Sequence, residues 1–582
     1  MIKNTRATRF LHVPWGALPR PSRSLVFDLP VFAFGLAVLY SFVALARYWS
    51  GPLTPQVEID LSARALPFYA LYSVLRIFIA YLLSLAFTLV YGYIAAYNAR
   101  AERFMVPLLD ILQSIPVLSF LPGVMLAMVA LFPRRQLGVE LGAILLIFTG
   151  QVWNMAFSFY SSLKSIPTEM REAARLYRFS WWQSFTQMEL PYSVIGLVWN
   201  SMMSVAGGWF FLMACEMFVL GKRDFRLPGL GSYLQTAASA GNGRAILWGL
   251  LTMIAIIVLT DQLVWRPLIA WAQKFKFENV EALDAPRSPV LNFLRRSHIL
   301  ATISSKTVAP MREALALRFA RKNEPAEAGA QRSPVRKWLT WVSLAGVAVG
   351  IAYALFKSAI MISSLGFGGL KSIMIGAAAT FLRVNVALVL GALWTVPAGV
   401  AIGTHPKLAR IAQPLAQIAA SVPATALFPL VLLALIRAGG GMGTGSIVLL
   451  LLGTQWYILF NVIAGASAIP TDLEEVCHIF HFNRFERWRK LILPAIFPYL
   501  LTGLVTASGG AWNASIVAEY FHLQGKIFST TGLGALISTA TDEGNSQLLL
   551  TATIVMAIIV VAVNRLVWRR LYRLASTRYR LG

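Results

Sequence analysis

Long apolar runs alternate with short polar breaks along the chain: 29–48, 67–96, 105–132, 141–163, 192–218 and 245–271, then 338–358, 372–402, 411–437, 446–466, 495–519 and 546–570. An α-helix rises 1.5 Å per residue, so about 20 apolar residues cross a hydrocarbon layer roughly 30 Å thick. The pattern predicts about 12 transmembrane helices in an all-α polytopic membrane protein. No run alternates at period two, which excludes an outer-membrane barrel. The first run follows Arg-rich residues and is too long for the apolar region of a signal peptide, so it counts as a span.

The second six runs repeat the first six. Arg76, Pro107, Pro116 and Pro122 recur 307 residues later as Arg383, Pro414, Pro423 and Pro429. After a four-residue slip in one loop, Trp153, Pro167, Glu172, Pro191, Trp209, Glu216, Gly229, Gly231 and Trp265 recur at an offset of 303 as Trp456, Pro470, Glu475, Pro494, Trp512, Glu519, Gly532, Gly534 and Trp568. Chance does not hold one offset over so many Trp, Pro and Gly positions. The reading is a tandem duplication: residues 1–272 form one unit, 273–336 a basic linker and 337–582 a second unit. Six spans is an even number, so both units insert the same way round, as a parallel repeat.

Composition agrees and adds an orientation. Hydrophobic residues make up 57% of the 582 and charged residues 13%, against about 25% charged in soluble domains; mean hydropathy is +0.65. The net charge of +26 would suggest nucleic acid in a soluble protein, but the basic residues gather in the first 28 positions, in the linker and after Trp568. That is the positive-inside pattern, which explains the charge better than a nucleic-acid partner does, so none is expected, and it puts both termini and the linker on the cytoplasmic side of a bacterial-type inner membrane. The linker is either a solvated tether or a surface lying on anionic lipid. Cys215 sits in an apolar run and Cys477 in a charged one, so no disulfide is expected, and the scattered His give no metal site.

Between the fourth and fifth spans each unit carries a long polar loop, Ser165 to Pro191 and Ala468 to Pro494. Each reads as helix, turn, helix: Pro167 and Pro470 suit a first turn, and Ser180 with Gln183, like Asn483 with Glu486, has capping-box spacing. Helical spacing puts Met170, Ala173, Ala174 and Tyr177 on one stripe, as it does Leu473, Val476, Cys477 and Phe480. A stripe of this kind on a short cytoplasmic helix requires a partner.

These loops resemble the signature of permease subunits of binding-protein-dependent ABC importers: Glu-Ala-Ala, three residues, Gly, nine residues, Ile, one residue, Leu-Pro. The first unit supplies Glu172, Ala173, Ala174, Arg178 in the Gly position, Met188, Leu190 and Pro191; the second supplies Glu475, Val476, Cys477, His481, Leu491, Leu493 and Pro494. The Gly of such a signature ends a helix in the left-handed conformation, which Arg178 and His481 can adopt only at a cost of about 1 kcal/mol. Arg76 and Arg383, the pairs ending in Pro116 and Pro423, the stretch from Trp209 to Glu216 with its copy from Trp512 to Glu519, and two Gly-Leu-Gly triplets resemble the nitrate, sulfonate, bicarbonate and taurine branch. The resemblance implies that the loops are coupling helices docking on two ABC ATPase subunits, that ATP and Mg are bound there and not in this chain, and that an extracytoplasmic solute-binding protein delivers a small anion.

No G-x-x-x-x-G-K-[ST] phosphate loop occurs and no catalytic constellation emerges, so the chain reads as a transport pathway and not an enzyme. Helix breakers nominate a gate: Pro116, Pro122, Pro423 and Pro429 in the third span of each unit, Gly207, Gly208, Gly509 and Gly510 in the fifth. Trp209, Glu216, Trp512 and Glu519 follow as pathway residues or as ordinary packing and interfacial anchors. Arg76 and Arg383, near the outer ends of their spans, are either snorkelling anchors or anion contacts. The alternative is an ion-gradient-driven secondary transporter.

Overall fold

The computed structural model describes residues 58–133, 136–220, 223–275, 288–320, 356–469, 471–523 and 526–578, together with 28–33, 36, 49, 346, 349, 350, 352 and 353. The chain is all-α and polytopic: eight helices among the described residues are long and apolar enough to span, nine if one bent pair counts as a span. The predicted spans at 29–48 and 338–358 lie largely outside the described residues, as do Pro470 and much of the linker.

In the first copy α1 is Leu66–Tyr97, α2 Ala99–Ser114, α3 Leu121–Leu131 and α4 Leu137–Lys164. A short α5, Thr168–Leu176, precedes α6, Trp181–Glu216; a two-stranded hairpin, β1 Val219–Leu220 with β2 Arg223–Asp224, leads to α7, Leu230–Ser239, and α8, Gly243–Phe275. The linker contributes α9, Pro289–Arg296, α10, His298–Ile303, and α11, Ala309–Ala320. The second copy repeats the order: α12 Gly366–Thr404, α13 Pro406–Ser421, α14 Ala424–Arg437, α15 Met442–Ser467, α16 Thr471–Ile479 and α17 Arg484–Ala518. It ends with the hairpin β3 Tyr520–Leu523 and β4 Lys526–Ser529, then α18, Leu533–Glu543, and α19, Ser546–Ala575.

Two of the readings about helix breakers change. Each third span is broken: Ile115, ahead of Pro116, is extended (φ −79°, ψ 126°), and so is Val422 ahead of Pro423 (φ −74°, ψ 117°). Proline forces that conformation on its predecessor and ends the helix, and in the first copy the flanking helices bend by 85°. Pro122 and Pro429 break nothing, since Pro122 opens α3 and Pro429 lies within α14. The fifth spans, in contrast, are not interrupted at Gly207-Gly208 or Gly509-Gly510; α6 and α17 run through both pairs. The second glycine of each pair admits a neighbour: a Cβ on Gly208 would stand 2.3 Å from Gln151 Nε2, one on Gly510 3.3 Å from the Tyr457 ring. Small residues serve this purpose where membrane helices approach closely.

The fifth helices also reach further back than the apolar pattern suggests. A π-turn at Phe185–Glu189 joins the polar loop to α6, and another at Trp488–Ile492 does the same in α17. Leu190 N–H reaches the Phe185 carbonyl and Leu493 N–H the Trp488 carbonyl, each one residue before a proline that has no N–H of its own.

The described chain divides into two compact units whose boundaries fall inside α4, α6 and α8. One comprises Met1–Trp49, Met155–Met202 and Val258–Arg332. Val194, Val198 and Ala272 form its buried apolar cluster, with Leu268, Trp271 and Phe275 packed around them. Its linker portion is folded, not a plain tether: Ser288 caps α9, Ser297 caps α10, and Asp28 accepts hydrogen bonds from Ser297 Oγ at 2.8 Å and Ile299 N–H at 3.1 Å. The Ser297 bond, seconded by that of Ile299, holds the Asp28 carboxyl below the usual carboxylate range. Asp28→Ala is expected to speed trypsin cleavage at Arg295 and Arg296; an unchanged cleavage rate would show that the linker helices do not depend on this tie.

The other unit comprises Ser50–Asn154, Met203–Ile257 and Ser333–Gly582, and so contains the whole described second copy. There α12, α15 and α17 pack through glycines, with Gly399 against Val462, Gly403 against Ala466 and Gly465 against Tyr499.

Candidate functional site

Two arrangements of the repeated residues stand out, and the first is the polar loop. In the first copy α5 ends with Arg178 at φ 50°; Phe179 N–H returns to the Ala174 carbonyl at 2.9 Å and Arg178 N–H to that of Arg175 at 3.0 Å. This pair of bonds with a left-handed residue is a Schellman cap, here built without glycine. The second copy repeats it, with His481 at φ 49° and Phe482 N–H on the Cys477 carbonyl at 3.0 Å. A capping box follows each turn: Ser180 N–H donates to Gln183 Oε1 and Gln183 N–H to Ser180 Oγ, and Asn483 with Glu486 makes the same exchange.

The two caps fix what the loops present. Ala174 and Cys477 turn inward and are buried, whereas Leu176 and Tyr177 are 83% and 78% exposed and their counterparts Ile479 and Phe480 71% and 70%. Glu172 and Glu475 lie exposed beside them, Ala173 is half-buried and Val476 exposed. The expected stripe is therefore divided, its middle facing the protein and its C-terminal end facing out. Leu190, Pro191, Leu493 and Pro494 lie where the π-turns pass into the long helices, away from the exposed pairs in sequence. The apolar neighbours Leu176 and Ile479 escaped the sequence reading, although both fall in register at the open side of the cap.

The second arrangement is a buried charge node at the start of the fifth helix's C-terminal hairpin. Arg76 is fully buried; its Nε and Nη2 donate to the two oxygens of Glu140 at 2.7 and 2.6 Å, and its Nη1 donates to Glu216 at 2.7 Å and to the Pro228 carbonyl at 2.8 Å. Ser73 Oγ and Gly231 N–H also donate to Glu216, both at 2.7 Å. In the second copy Arg383 Nη1 donates to Glu519 at 2.8 Å, and Thr380 Oγ1 and Gly534 N–H complete that carboxylate's shell. Arg76 is thus neither a snorkelling anchor nor an open anion contact, because its guanidinium is occupied on both edges. Glu216 and Glu519 are likewise buried ligands of arginine and not interfacial anchors, and Trp209 and Trp512, two turns earlier on the same helices, are buried too. Glu140 was missed from sequence; the available signal was a lone acid bordering an apolar span in a chain with an Arg inside another span, a combination that calls for pairing.

Of the gate candidates, Pro116 sits at the bend that brings the next residues against the second copy. Leu118 N–H faces Asn513 Oδ1 at 3.5 Å, and Thr553 Oγ1 donates to the Ser119 carbonyl at 3.2 Å.

A family model described as the inner membrane component of binding-protein-dependent transport systems matches residues 88–264 and again 395–581. The chain belongs to this family. Both matches contain one polar loop and one fifth helix, so this transport component carries the family's domain twice. Among curated relatives it is 28% identical over 190 residues to the nitrate import permease protein NrtB of Leptolyngbya laminosa, covering 33% of this chain and 64% of that protein. It is 31% identical over 153 residues to the bicarbonate transport system permease protein CmpB of Synechocystis, covering 26% and 53%. To the taurine transport system permease protein TauC of Escherichia coli it is 27% identical over 183 residues, covering 31% and 62%. The matched stretches therefore span between about half and a little under two thirds of the length of these relatives.

Proposed function

We propose that this chain is the complete membrane pathway of an ABC importer for a small anion, with two ATPase subunits docked on its two loops. The observation that carries the reading is the exposed apolar pair, Leu176-Tyr177 and Ile479-Phe480, set at equivalent positions by the same left-handed cap and capping box in both copies. Paired apolar side chains held rigidly in the open mark a protein interface, and a rigid cap passes motion on without yielding. Glu172 and Glu475 are exposed, each four residues before the first member of its pair, and give each contact its polar rim. ATP and Mg belong to the ATPase partners, an extracytoplasmic binding protein supplies the solute, and both termini are cytoplasmic by the charge distribution. In α17 the docking turn and Glu519 lie at opposite ends of a helix of 35 residues, about 52 Å at 1.5 Å per residue. The charge nodes and the hairpins then belong to the outer side. The names of the relatives, nitrate, bicarbonate and taurine permeases, favour a small anion as cargo.

The double variants Glu172→Ala with Glu475→Ala, and Tyr177→Ala with Phe480→Ala, are expected to leave the chain inserted and to reduce ATPase co-purification in mild detergent at least tenfold. Unchanged retention of the ATPase in both would sink the docking assignment, and transport by an ATPase-free chain would favour a gradient-driven carrier.

A further inference from the structure

The two charge nodes are built on one plan but differ by one carboxylate. The register of α4 and α15 is fixed by Trp153 with Trp456, and Gly138 and Gly142 match Gly441 and Gly445 at the same offset of 303. The position of Glu140 is therefore Gly443. In the first copy Arg76 meets two carboxylates, a formal node charge of −1; in the second Arg383 meets one, a formal charge of 0. The missing partner belongs to a defined edge of the guanidinium. Nη1 donates to Glu216 in one copy and to Glu519 in the other, whereas the Nε–Nη2 edge, which takes Glu140 in the first, meets among the described residues only Thr530 Oγ1, 3.0 Å from Nη2.

The surroundings of that edge suit a small anion. The Arg383 side chain is 13% exposed where that of Arg76 is 0%, so the edge is reachable. A Cβ on Gly443 would meet a single neighbour, Thr530 Oγ1 at 3.8 Å, so the glycine leaves room where the first copy has a side chain. Gly443 lies in the first turn of α15, a helix of 26 residues capped by Gly441 without a side-chain acceptor. Its leading N–H groups and the positive end of its dipole favour a negative group there.

We infer that the Nε–Nη2 edge of Arg383, Thr530 and the first turn of α15 form a binding subsite for a planar oxyanion of the carboxylate, bicarbonate or nitrate class. Glu140 in the first copy is its built-in counterpart: it shows such an anion held bidentately on the same guanidinium edge, the geometry in which arginine binds planar oxyanions best. The subsite lies on the side of the second copy away from the docking loop, and its role as a stage of import rests on the function proposed above.

The test uses the full chain in detergent, with sodium nitrate as the probe and sodium chloride at equal ionic strength as the control. Nitrate is expected to raise the unfolding temperature of the wild type above the chloride value in a saturable way. Gly443→Glu, which supplies the second copy with the carboxylate of the first, is expected to fold, to be more stable in chloride, and to lose the nitrate response. Thr530→Val is expected to weaken the response several-fold without abolishing it, which keeps the inference testable if Gly443→Glu fails to accumulate. A wild type that responds equally to both salts, or a Gly443→Glu chain that retains the nitrate response, would overturn the subsite. ATPase co-purification is scored on the same preparations: retained ATPase without a nitrate response defeats the subsite alone, and a nitrate response without ATPase supports the subsite and defeats the docking reading.

Discussion

Arg76→Met is expected to remove most folded chain from the membrane fraction, and whatever survives detergent extraction should unfold far below the wild type. The guanidinium lies between two fully buried carboxylates, at 2.6 Å from one and 2.7 Å from the other. Removing one member of a buried ion pair costs about 3–5 kcal/mol, because the surviving charge has neither water nor partner. Here two charges survive, against a total stability of about 5–15 kcal/mol for a typical fold. The loss comes from stranding Glu140 and Glu216 and not from the worth of the pair itself, so it is reversible by design. The triple variant Arg76→Met, Glu140→Gln, Glu216→Gln should recover most of the folded yield, as neutral replacements of buried ion networks do. Size-exclusion profiles of the solubilised single, triple and Arg383→Met chains decide the matter. Arg383→Met strands one buried carboxylate where Arg76→Met strands two, and should be the milder loss; equal tolerance of Arg76→Met and Arg383→Met would refute the account.

The same node marks where one-dimensional reading stops. The duplication, the helix-turn-helix loops, their capping boxes and the demand for a left-handed residue at Arg178 and His481 are all local or periodic, and local signals survive folding unchanged. Arg76 looked like a snorkelling residue because its distance from a span end is visible along the chain. Its ligands, 64 and 140 residues away in sequence, are not. The glycine pairs of the fifth helices misled for the opposite reason: helix propensity measured in water counts glycine as a breaker, but in a packed membrane helix the missing side chain is the space into which Gln151 or Tyr457 fits. The linker looked like a tether because charge was counted and the Ser288 and Ser297 caps were not. The broken third spans were half legible, since the prolines named the place and only the backbone of Ile115 and Val422 gave the bend.

Duplication within one chain also frees the copies to diverge. The polar loops keep the same cap and exposed pair while Ala-Ala becomes Val-Cys, so what the two copies share there is shape. The charge nodes keep Arg, Glu, Ser or Thr and Gly-Leu-Gly but differ at Glu140 and Gly443, so one node is closed by the chain's own carboxylate and the other is not. Two identical subunits could not make that distinction.

Gly534→Ala is the second change expected to be severe, and its pseudo-symmetric partner Gly231→Ala is expected to be mild. Neither glycine owes its place to a left-handed backbone; the reason is space at the start of α7 and α18, where an N–H must reach a buried carboxylate. A Cβ on Gly534 would lie 2.4 Å from the Ser515 carbonyl oxygen, 2.7 Å from its carbon and 2.8 Å from Ile516 Cα, all backbone atoms of α17 that have no rotamer to change. Relief requires α18 to move off α17, which lengthens the 2.9 Å bond from Gly534 N–H to Glu519 and disturbs the carboxylate that holds Arg383. Overpacking of this kind costs about 1–3 kcal/mol, and a rigid backbone neighbour puts it at the upper end. A Cβ on Gly231 meets its nearest neighbours, two side-chain atoms of Glu216 and the Met213 carbonyl oxygen, only at 3.0 Å, so a shift of a few tenths of an ångström accommodates it. Unfolding temperatures of the two single variants, measured in one detergent and at one ionic strength, should therefore separate by several degrees with Gly534→Ala the lower. The reverse order, or coincidence of the two, would mean that the fit of α18 on α17 is not what holds the second node together.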